Sequence, residues 1–278
     1  MHLVIPTFKR VDRQWTLQEI TSRNVHKTFP VSLFCHPDEE EALQKYVQPG
    51  VDVRVQRPDV VNIAQLRQQM LEDADERYVL MLDDDLLFYV RKDPAKTNLR
   101  YIVRGPEGEA EFGAMLRTIE DWMRAGFAHA SISAREGNNR IETPHKHNTR
   151  PLRALGYDRD VVLGKGFSFT AHGMCDKEDF CMALQLLTAG LASRHSYFFA
   201  QGQKTGSQTH GGCEVYRTRE KMAESSHKLA ELWPDFVTAV EKKTKAAWGG
   251  GTRIDVRIQW AKAFKSSGAE LPAGAEPV

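Results

Sequence analysis

The chain has 278 residues, of which 41% are hydrophobic and 27% charged, a composition ordinary for a globular protein. No apolar stretch reaches the roughly 18 residues needed to span a bilayer, and the first residues lack a signal-peptide pattern. We therefore expect a cytoplasmic protein without a membrane segment.

The net charge of +1 conceals an uneven distribution, because acidic residues outnumber basic ones in residues 1–125 and the reverse holds in residues 126–278. A basic second half favours a polyanionic partner, although such an imbalance is also typical of a solvated surface. The cysteines show no CxxC spacing, which is typical of free thiols in a reducing compartment.

The first 82 residues alternate strand-like and helix-like patterns. Short apolar or alternating runs predict strands at residues 3–5, 31–35, 51–55 and 78–82, and amphipathic segments predict helices at residues 12–20, 38–46 and 63–74. Asn62 is placed to cap the third helix. Strands that alternate with helices predict an α/β fold with a mostly parallel, three-layer sheet.

An acidic triplet, Asp83, Asp84 and Asp85, follows directly on the wholly apolar run 78–82. Ligands of open α/β sheets bind beyond the carboxyl ends of such buried strands. Three adjacent carboxylates repel one another, and a divalent cation relieves the repulsion; oxygen ligands favour Mg²⁺ or Mn²⁺. The alternative is that the three aspartates form a solvated turn, with one helix cap among them.

The middle of the chain is less regular. Residues 86–108 are polar and interrupted by proline and glycine, which predicts a long loop above the site. An amphipathic helix covers residues 112–123, and a strand follows at 128–134. Basic residues crowd the aperiodic stretch 135–160, which indicates a surface loop able to grip phosphates, or a solvated loop with no partner.

The second half continues with a glycine-containing segment, residues 161–173, in which Phe167 and Phe169 alternate as strand residues do. Residues 176–179 are acidic or basic and begin a helix with a buried face. Asp176 and Asp179 have the spacing of an N-cap and its third residue. A strand at 196–200 leads into a Gly-rich segment that contains His210.

A strand-end acidic triplet, a glycine loop, an acidic helix start and a late histidine, in this order, resemble the GT-A glycosyltransferases. The opening Pro6-Thr7-Phe8-Lys9-Arg10 also resembles the first-strand loop that lines the nucleotide in that family. More narrowly, the N-terminal segment and the string LDDDLLFYVR are similar to phage-encoded TET-associated glycosyltransferases. Those enzymes attach sugars to 5-hydroxymethylpyrimidines in DNA, which implies a DNA acceptor and a location in the host cytoplasm.

The resemblance implies a role for each motif. Asp83 and Asp85 correspond to the metal-binding DxD motif, with His210 completing the metal shell; Asp179 is the expected base of an inverting transfer, and Glu178 positions it. The expected donor is a nucleotide-sugar, with UDP-sugar favoured, bound with Mn²⁺ or Mg²⁺. The residues expected to contact the donor are Pro6, Thr7, Phe8, Arg10, Arg67, Asp83, Asp84 and Gly166. The residues expected to contact the acceptor are Arg135, Asn138, Arg140, Lys146, His147 and Arg150.

Other functions stay open from sequence. A hexosyltransferase of the same fold could act on a glycan or a protein, and a sugar-nucleotide nucleotidyltransferase shares metal-binding carboxylates, although residues 4–12 lack the glycine-rich phosphate loop usual in that class. A helix cap remains an alternative for the acids at 176–179.

The expected organisation is a glycosyltransferase domain over residues 1–215, with a nucleotide-sugar and metal half (1–125) and an acceptor half (126–215). A helical extension is expected over residues 216–265. Residues 266–278, which are small and polar, are expected to form a disordered tail.

Overall fold

The computed structural model describes residues 1–204, 211–212, 218–243 and 250–275. The strands are β1 (His2–Pro6), β2 (Val31–Cys35), β3 (Val51–Val55), β4 (Tyr78–Leu82), β5 (Leu86–Arg91), β6 (Leu99–Tyr101), β7 (His129–Ala134), β8 (His145–His147), β9 (Ala154–Asp158), β10 (Ser193–Gln203), β11 (Val237–Lys243) and β12 (Thr252–Ile258). The helices are α1 (Trp15–Thr21), α2 (Glu40–Tyr46), α3 (Ile63–Glu72), α4 (Pro106–Arg124), α5 (Arg159–Gly164), α6 (Glu178–Thr188), α7 (Arg219–Leu232) and α8 (Trp260–Lys265).

A ten-stranded sheet runs through the described part of the chain in the order β3-β2-β1-β4-β9-β7-β10-β5-β6, with β8 paired to β10. The pairings β3-β2, β2-β1, β1-β4 and β7-β10 are parallel. Strand β9 runs antiparallel between β4 and β7, and β5 is antiparallel to β10. The carboxyl ends of β1 and β4 therefore meet at one edge, where the acidic triplet begins.

The strand that leads into the triplet is buried on both faces. Leu80 and Leu82 belong to a core shared with α1, α2 and α4, whereas Val79 and Met81 belong to a second core shared with α3, α5 and α6. Because successive side chains of a strand point to opposite faces, a five-residue apolar run needs a helix layer on each side. The predicted three-layer α/β fold is confirmed.

The helices form where the spacing of apolar residues predicts them. Asn62 caps α3 by accepting a hydrogen bond from the Gln65 backbone N–H at 3.0 Å. In α4, Phe112, Met115 and Ile119 are fully buried on one face. None of the helices in the described residues has the length and apolar character needed to cross a bilayer.

A C-terminal unit, here α7, β11, β12 and α8, packs against α6. Leu229 of α7, Val256 of β12 and Phe264 of α8 form a third core with Phe180 and Leu184 of α6. The strands β11 and β12 form a two-stranded antiparallel sheet of their own. The C-terminal unit is thus joined through an apolar core to the helix that begins with Glu178 and Asp179.

Four expectations from sequence differ from the structure. Residues 86–101 contain the hairpin β5-β6 rather than a loop, since β5 completes the sheet beside β10. Phe167 and Phe169 lie between α5 and α6 in no strand, because both rings fill the second core beside α5 and α6. The expected helical extension contains the hairpin β11-β12, whose β-branched residues pack on α7. Leu271 and Ala275 pack on the third core, where a disordered tail was expected.

Truncation of a side chain in β4 tests the two-faced burial of this strand. Leu80 is fully buried, and Leu80→Ala should lower the free energy of unfolding by about 3 kcal/mol through lost burial and the cavity left behind. Urea unfolding followed by circular dichroism measures the loss. Val61, which is 77% exposed, supplies the control, and Val61→Ala should change the free energy of unfolding by no more than about 0.5 kcal/mol. Equal losses in the two variants would contradict the assignment of β4 to the core.

Candidate active site

The backbone of the acidic triplet is held by neighbours on both sides. The Asp83 N–H donates to the Arg153 carbonyl at 3.0 Å, which continues the pairing of β4 with β9. From α1, the Thr16 hydroxyl donates to the Asp83 carbonyl at 2.5 Å, and the Thr16 N–H donates to the Asp84 carbonyl at 3.1 Å. Thr16 was not singled out by its sequence context, since a threonine at a helix start is unremarkable. It fixes the direction in which the three carboxylates project.

Two of the three carboxylates are buried. Asp84 is 5% exposed and Asp85 is 1% exposed. Arg10 Nη1 lies 2.6 Å from Asp84 Oδ1 and 3.8 Å from Asp85 Oδ2. Burial raises the pKa of Asp84 to about 7, since the opposing effect of Arg10 is partly offset by the charges of Asp85 and Asp83. The alternative of a solvated turn is therefore wrong.

A buried arginine joins the triplet to the acidic start of α6. Arg67 Nη2 donates to Asp83 Oδ1 at 3.0 Å, and Arg67 Nη1 forms an ion pair with Glu178 Oε1 at 2.8 Å. Burial by itself lowers the pKa of Arg67, but Glu178, Asp83 and Asp179 together raise it above its usual value. Arg67 was expected from sequence to reach the nucleotide. In the structure its guanidinium is used by carboxylates from two motifs that are 95 residues apart in the sequence.

Helix α6 begins with the two acids that the resemblance singles out. Glu178 is 3% exposed, whereas Asp179 is half-buried. Asp179 Oδ1 accepts a hydrogen bond from the Phe180 N–H at 2.9 Å. Burial raises the pKa of Asp179, against the opposing effect of Arg67. A carboxyl group that gains a proton more readily than an ordinary aspartate and that reaches the surface has the properties of a general base.

The expected N-cap at Asp176 is wrong. Lys177 occupies the N-cap position in a left-handed conformation, with φ 59° and ψ 25°, and no side chain caps the helix. Asp176 instead forms an ion pair with Lys177 Nζ at 3.0 Å. The helix starts at Glu178, so Asp179 lies in its first turn without being the third residue after an aspartate cap.

The loop after β1 lies beside the triplet. Buried Thr7 accepts a hydrogen bond from Gln14 Nε2 at 2.6 Å, and Gln14 Nε2 also donates to the Arg10 carbonyl at 2.7 Å. Pro6 and Phe8 are half-buried, and the ring of Phe8 lies 5.9 Å from that of His36. Gln14 closes this loop. Its role depends on a contact across the turn that local sequence does not indicate.

The late Gly-rich segment returns to this loop. The Gly212 N–H donates to the Phe8 carbonyl at 2.9 Å, and Arg10 Nη2 donates to the Gly211 carbonyl at 3.2 Å. Gly211 has φ 133°, and a Cβ there would lie 2.8 Å from the Phe8 carbonyl oxygen, so no larger residue fits. His210, the expected third metal ligand, lies outside the described residues. On the other side of that gap, the Lys204 N–H donates to the Asp85 carbonyl at 2.8 Å.

The chemistry of the carboxylates fits a hard divalent cation. Asp83, Asp84 and Asp85 supply oxygen donors at the end of a buried strand, and the charges of Asp85 and Asp83 add to burial in raising the pKa of Asp84. Gln203 Nε2 donates to Asp85 Oδ2 at 3.1 Å and orients that carboxylate. Across the described ranges, no three His, Cys, Asp or Glu side chains converge on one point. A cation held by Asp83 and Asp85 would need further ligands.

Three of the expected acceptor residues lie on loops that reach the sheet edge of the site. Arg135 follows β7; its Nη1 donates to the Tyr89 hydroxyl at 3.0 Å, and its guanidinium lies 4.6 Å from the centre of that ring. Exposed Arg150 lies 5.1 Å from the centre of the Phe180 ring, and its charge acts on Asp179. Arg140 is exposed at the end of a short 3-10 turn.

The other three expected acceptor residues are placed differently. Asn138 is 1% exposed, and its Nδ2 donates to the Ser133 hydroxyl at 2.6 Å and to the Tyr197 carbonyl at 2.9 Å, so it holds the loop together. Lys146 and His147 lie in β8, which is separated from β4 by β10, β7 and β9. At ~4.8 Å per strand, that distance is ~19 Å.

Gly166 has a local structural explanation. It follows the C-terminal end of α5 with φ 76°, and its N–H donates to the Leu163 carbonyl at 3.0 Å. A glycine in this left-handed conformation commonly ends a helix. An added Cβ would have no heavy atom within 4 Å, so crowding by the protein does not select this glycine.

The three-layer α/β fold, the acidic strand end and the acidic helix start that Arg67 joins to it all lie within the first 212 residues. Residues 1–212 match the family described as TET-Associated Glycosyltransferase. The match covers about three quarters of the chain, and the protein therefore belongs to the TET-associated glycosyltransferase family. No curated protein sequence matches it.

Several solved structures are similar to this chain at low identity. S. aureus TarS 1-349 in complex with UDP-GlcNAc is 12% identical, with 83% of this chain and 67% of that chain covered and a TM-score of 0.49. Another structure of TarS 1-349 has a TM-score of 0.46, and the chain spans 66% of it, slightly less than two thirds. Glucosyl-3-phosphoglycerate synthase from Mycobacterium tuberculosis, in complex with Mg²⁺ and UDP, is 10% identical over 92% of this chain and 86% of that one, with a TM-score of 0.49.

Removal of the Arg67 guanidinium tests the bridge. Arg67→Met leaves the carboxylates of Asp83 and Glu178 without their cation, and the free energy of unfolding at pH 8 should fall by about 3–5 kcal/mol. Arg57 supplies the control, since it also pairs with two carboxylates, Glu72 and Asp73, but is 44% exposed. Arg57→Met should cost no more than about 1 kcal/mol in urea unfolding. Similar costs for both variants would show that the Arg67 bridge is no stronger than a surface ion pair.

Proposed function

We propose that this protein transfers a sugar from a UDP-sugar to the hydroxyl of a 5-hydroxymethylpyrimidine in DNA, with inversion at the anomeric carbon. Membership in the TET-associated glycosyltransferase family supports the reaction class. The observation that carries the proposal is the Arg67 bridge, which joins Asp83 at the carboxyl end of β4 to Glu178, the residue before Asp179. The groups proposed to bind the diphosphate and the proposed base therefore lie at the same edge of the sheet.

The donor diphosphate is proposed to lie between the acidic triplet and the loop after β1. Asp83 and Asp85 would hold Mn²⁺ or Mg²⁺, with His210 as the further ligand that the family resemblance implies, and such a cation would neutralise the charge of the diphosphate. Arg10 orients Asp84 and Asp85 from one side, and Gln203 orients Asp85 from the other. Phe8, with its half-buried ring, is the proposed contact for the nucleotide base.

The acceptor hydroxyl is proposed to give its proton to Asp179. The hydroxyl oxygen forms a bond to the anomeric carbon, the bond from that carbon to the diphosphate oxygen breaks, and UDP leaves with the electron pair. Burial raises the pKa of Asp179, which brings it nearer to neutral pH, where a base accepts a proton more effectively. Glu178, paired with Arg67 at 2.8 Å, positions Asp179 rather than taking the proton itself.

The DNA acceptor is supported by the basic groups around the site. Arg150 is exposed beside Asp179, and Arg135 and Arg140 lie on the loop after β7. Lys146 and His147 lie ~19 Å from β4 along the sheet. At ~3.4 Å per nucleotide along one strand, that is the span of about five or six phosphates. A base extruded toward Asp179 is thus compatible with backbone contacts on these residues.

A matched panel of acceptors tests the substrate. With UDP-sugars and Mn²⁺, an oligonucleotide that carries 5-hydroxymethylcytosine or 5-hydroxymethyluracil should gain the mass of one hexose or acetylhexosamine per modified base. The same oligonucleotide with unmodified or 5-methyl pyrimidines should gain none, because it lacks the nucleophilic hydroxyl. Mass spectrometry measures the product.

Two further experiments on the same panel test the metal and the acceptor separately. EDTA should abolish transfer and added Mn²⁺ should restore it; full activity in EDTA would contradict a metal held by Asp83 and Asp85. Transfer to an oligosaccharide or a peptide, with none to hydroxymethylated DNA, would overturn the DNA acceptor and leave the glycosyltransferase class in place.

Replacement of Asp179 tests the base. Asp179→Asn keeps the size of the side chain but removes its proton affinity, so the rate of transfer should fall by about 10²–10⁴-fold while UDP still binds. Asp160→Asn is the control, because Asp160 is 60% exposed on α5 and its loss should leave the rate unchanged. Initial rates with hydroxymethylated DNA, together with calorimetric titration of UDP, measure both quantities. A variant at position 179 with more than half of the original rate would exclude this base.

A further inference from the structure

The C-terminal unit lies beyond the family match, which ends at residue 212. It contacts α6 through the third core, where Leu229 and Phe264 pack with Phe180 and Leu184. A polar contact lies beside this core: Lys177 Nζ, just before α6, donates to the Met222 carbonyl of α7 at 3.4 Å. The residue that makes this contact immediately precedes Glu178 and Asp179.

Lys177 is held in an unfavourable state. It is 8% exposed, and its backbone is left-handed with φ 59°, a conformation that is unfavourable for a lysine and open to a glycine. Burial of the ammonium group adds a further cost. A glycine at this position would incur neither cost, so the side chain of Lys177 is held here against an unfavourable conformation and partial desolvation.

The ammonium group faces one carboxylate. Lys177 Nζ lies 3.0 Å from Asp176 Oδ2, and Asp176 is 6% exposed. The Asp176 charge opposes ionisation of both Glu178 and Asp179, which follow it by two and three residues. Lys177 is therefore placed to offset a negative charge that would otherwise act on the proposed base.

We propose that Lys177 is a positioning residue, anchored by the C-terminal unit, that screens Asp176 from Asp179 and so sets the protonation of the proposed base. The proposal rests on the role assigned to Asp179 above. Lys177 itself touches neither sugar nor acceptor. Its effect passes through Asp176, and the Met222 carbonyl makes that effect depend on the correct docking of α7.

The other charged or titratable groups near Asp179 come from several elements. Arg67 of α3 and Arg150 of the loop after β8 favour the ionised carboxylate. Glu178 and Cys181 lie on α6 itself, and Tyr157 of β9 is buried close enough to interact with both Asp179 and Arg67. Replacement of Lys177 or Asp176 alters none of these groups. The effect of each change of charge on the titration of Asp179 can therefore be measured separately.

Direct titration of Asp179 tests the proposal without any acceptor. The chain is labelled with ¹³C at aspartate carboxyl carbons, the Asp179 signal is identified by its loss in Asp179→Asn, and its chemical shift is followed against pH. In Lys177→Met the loss of a positive charge beside Asp176 should disfavour ionisation of Asp179 and raise the Asp179 midpoint by about 0.5–1 pH unit. In Asp176→Asn the unopposed ammonium should lower it. The double variant should return it toward the value of the unaltered protein.

The three variants separate screening from a purely structural role. The proposal is supported if the Asp179 midpoint rises in Lys177→Met, falls in Asp176→Asn and returns in the double variant. A packing defect would not shift the midpoint in opposite directions according to the charge that is removed. An Asp179 midpoint that is unchanged in Lys177→Met, or that moves in the same direction in both single variants, overturns it. Lys177→Arg, which keeps the charge, should hold the midpoint within about 0.3 pH unit of the original.

The rate of sugar transfer, measured as a function of pH, gives a second readout through the acid limb of its profile. In Lys177→Met it should move to higher pH by the same amount as the Asp179 midpoint, so that activity falls more at pH 6 than at pH 8. A moved midpoint in a protein that transfers no sugar would contradict the proposed function and leave the screening intact. Sugar transfer with an unmoved midpoint and an unmoved acid limb would contradict the screening and leave the proposed function intact.

Discussion

The ion network around Arg67 is the constraint on which the rest of the site depends. Its guanidinium contacts Asp83, at the end of β4, and Glu178, at the start of α6. A buried carboxylate without a cation is costly in free energy. If α3 moved away, buried Glu178 would be left as such a carboxylate, and half-buried Asp83 would lose its contact with Arg67. The requirement for mutual neutralisation therefore fixes α3, α6 and the end of β4 relative to one another, and it does so at the edge of the sheet where ligands of α/β folds bind.

A second arginine organises the opposite side of the triplet. Arg10 contacts Asp84 and Asp85 and also the carbonyl of Gly211, so the loop after β1, the triplet and the late Gly-rich segment meet at one buried guanidinium. The two arginines divide the three carboxylates between them. Burial raises the pKa of Asp84, and the carboxylate oxygens of the triplet are donors of the kind that hard divalent cations prefer. The C-terminal unit reaches the same site from behind α6, through Lys177 and the third core.

Much of the architecture follows from local pattern. The apolar run 78–82 predicts a strand buried on both faces, and its side chains do alternate between two helix-covered cores. The cap at Asn62 and the buried face of α4 likewise depend only on neighbours in sequence. Local sequence pattern did not predict the strands whose pairing partners are distant in the sequence. Residues 86–101 form a hairpin because β10 offers a free edge, and residues 237–243 form a strand because β12 pairs with them and α7 covers one side.

The sequence by itself determined the α/β class, the position of the acidic triplet and the acidic start of a helix, because each depends on periodicity or on adjacent residues. The tertiary structure alone decided how these parts act together. Glu178 lies 95 residues beyond Asp83 in the sequence, and the ion network of Arg67, Asp83 and Glu178 exists because α3 and α6 pack on the same face of the sheet. The same holds for Asn138, which is polar in a loop and yet is buried by its bonds to Ser133 and Tyr197. A polar side chain satisfies its hydrogen bonds with whichever partners folding brings to it, and the linear order of residues does not specify them.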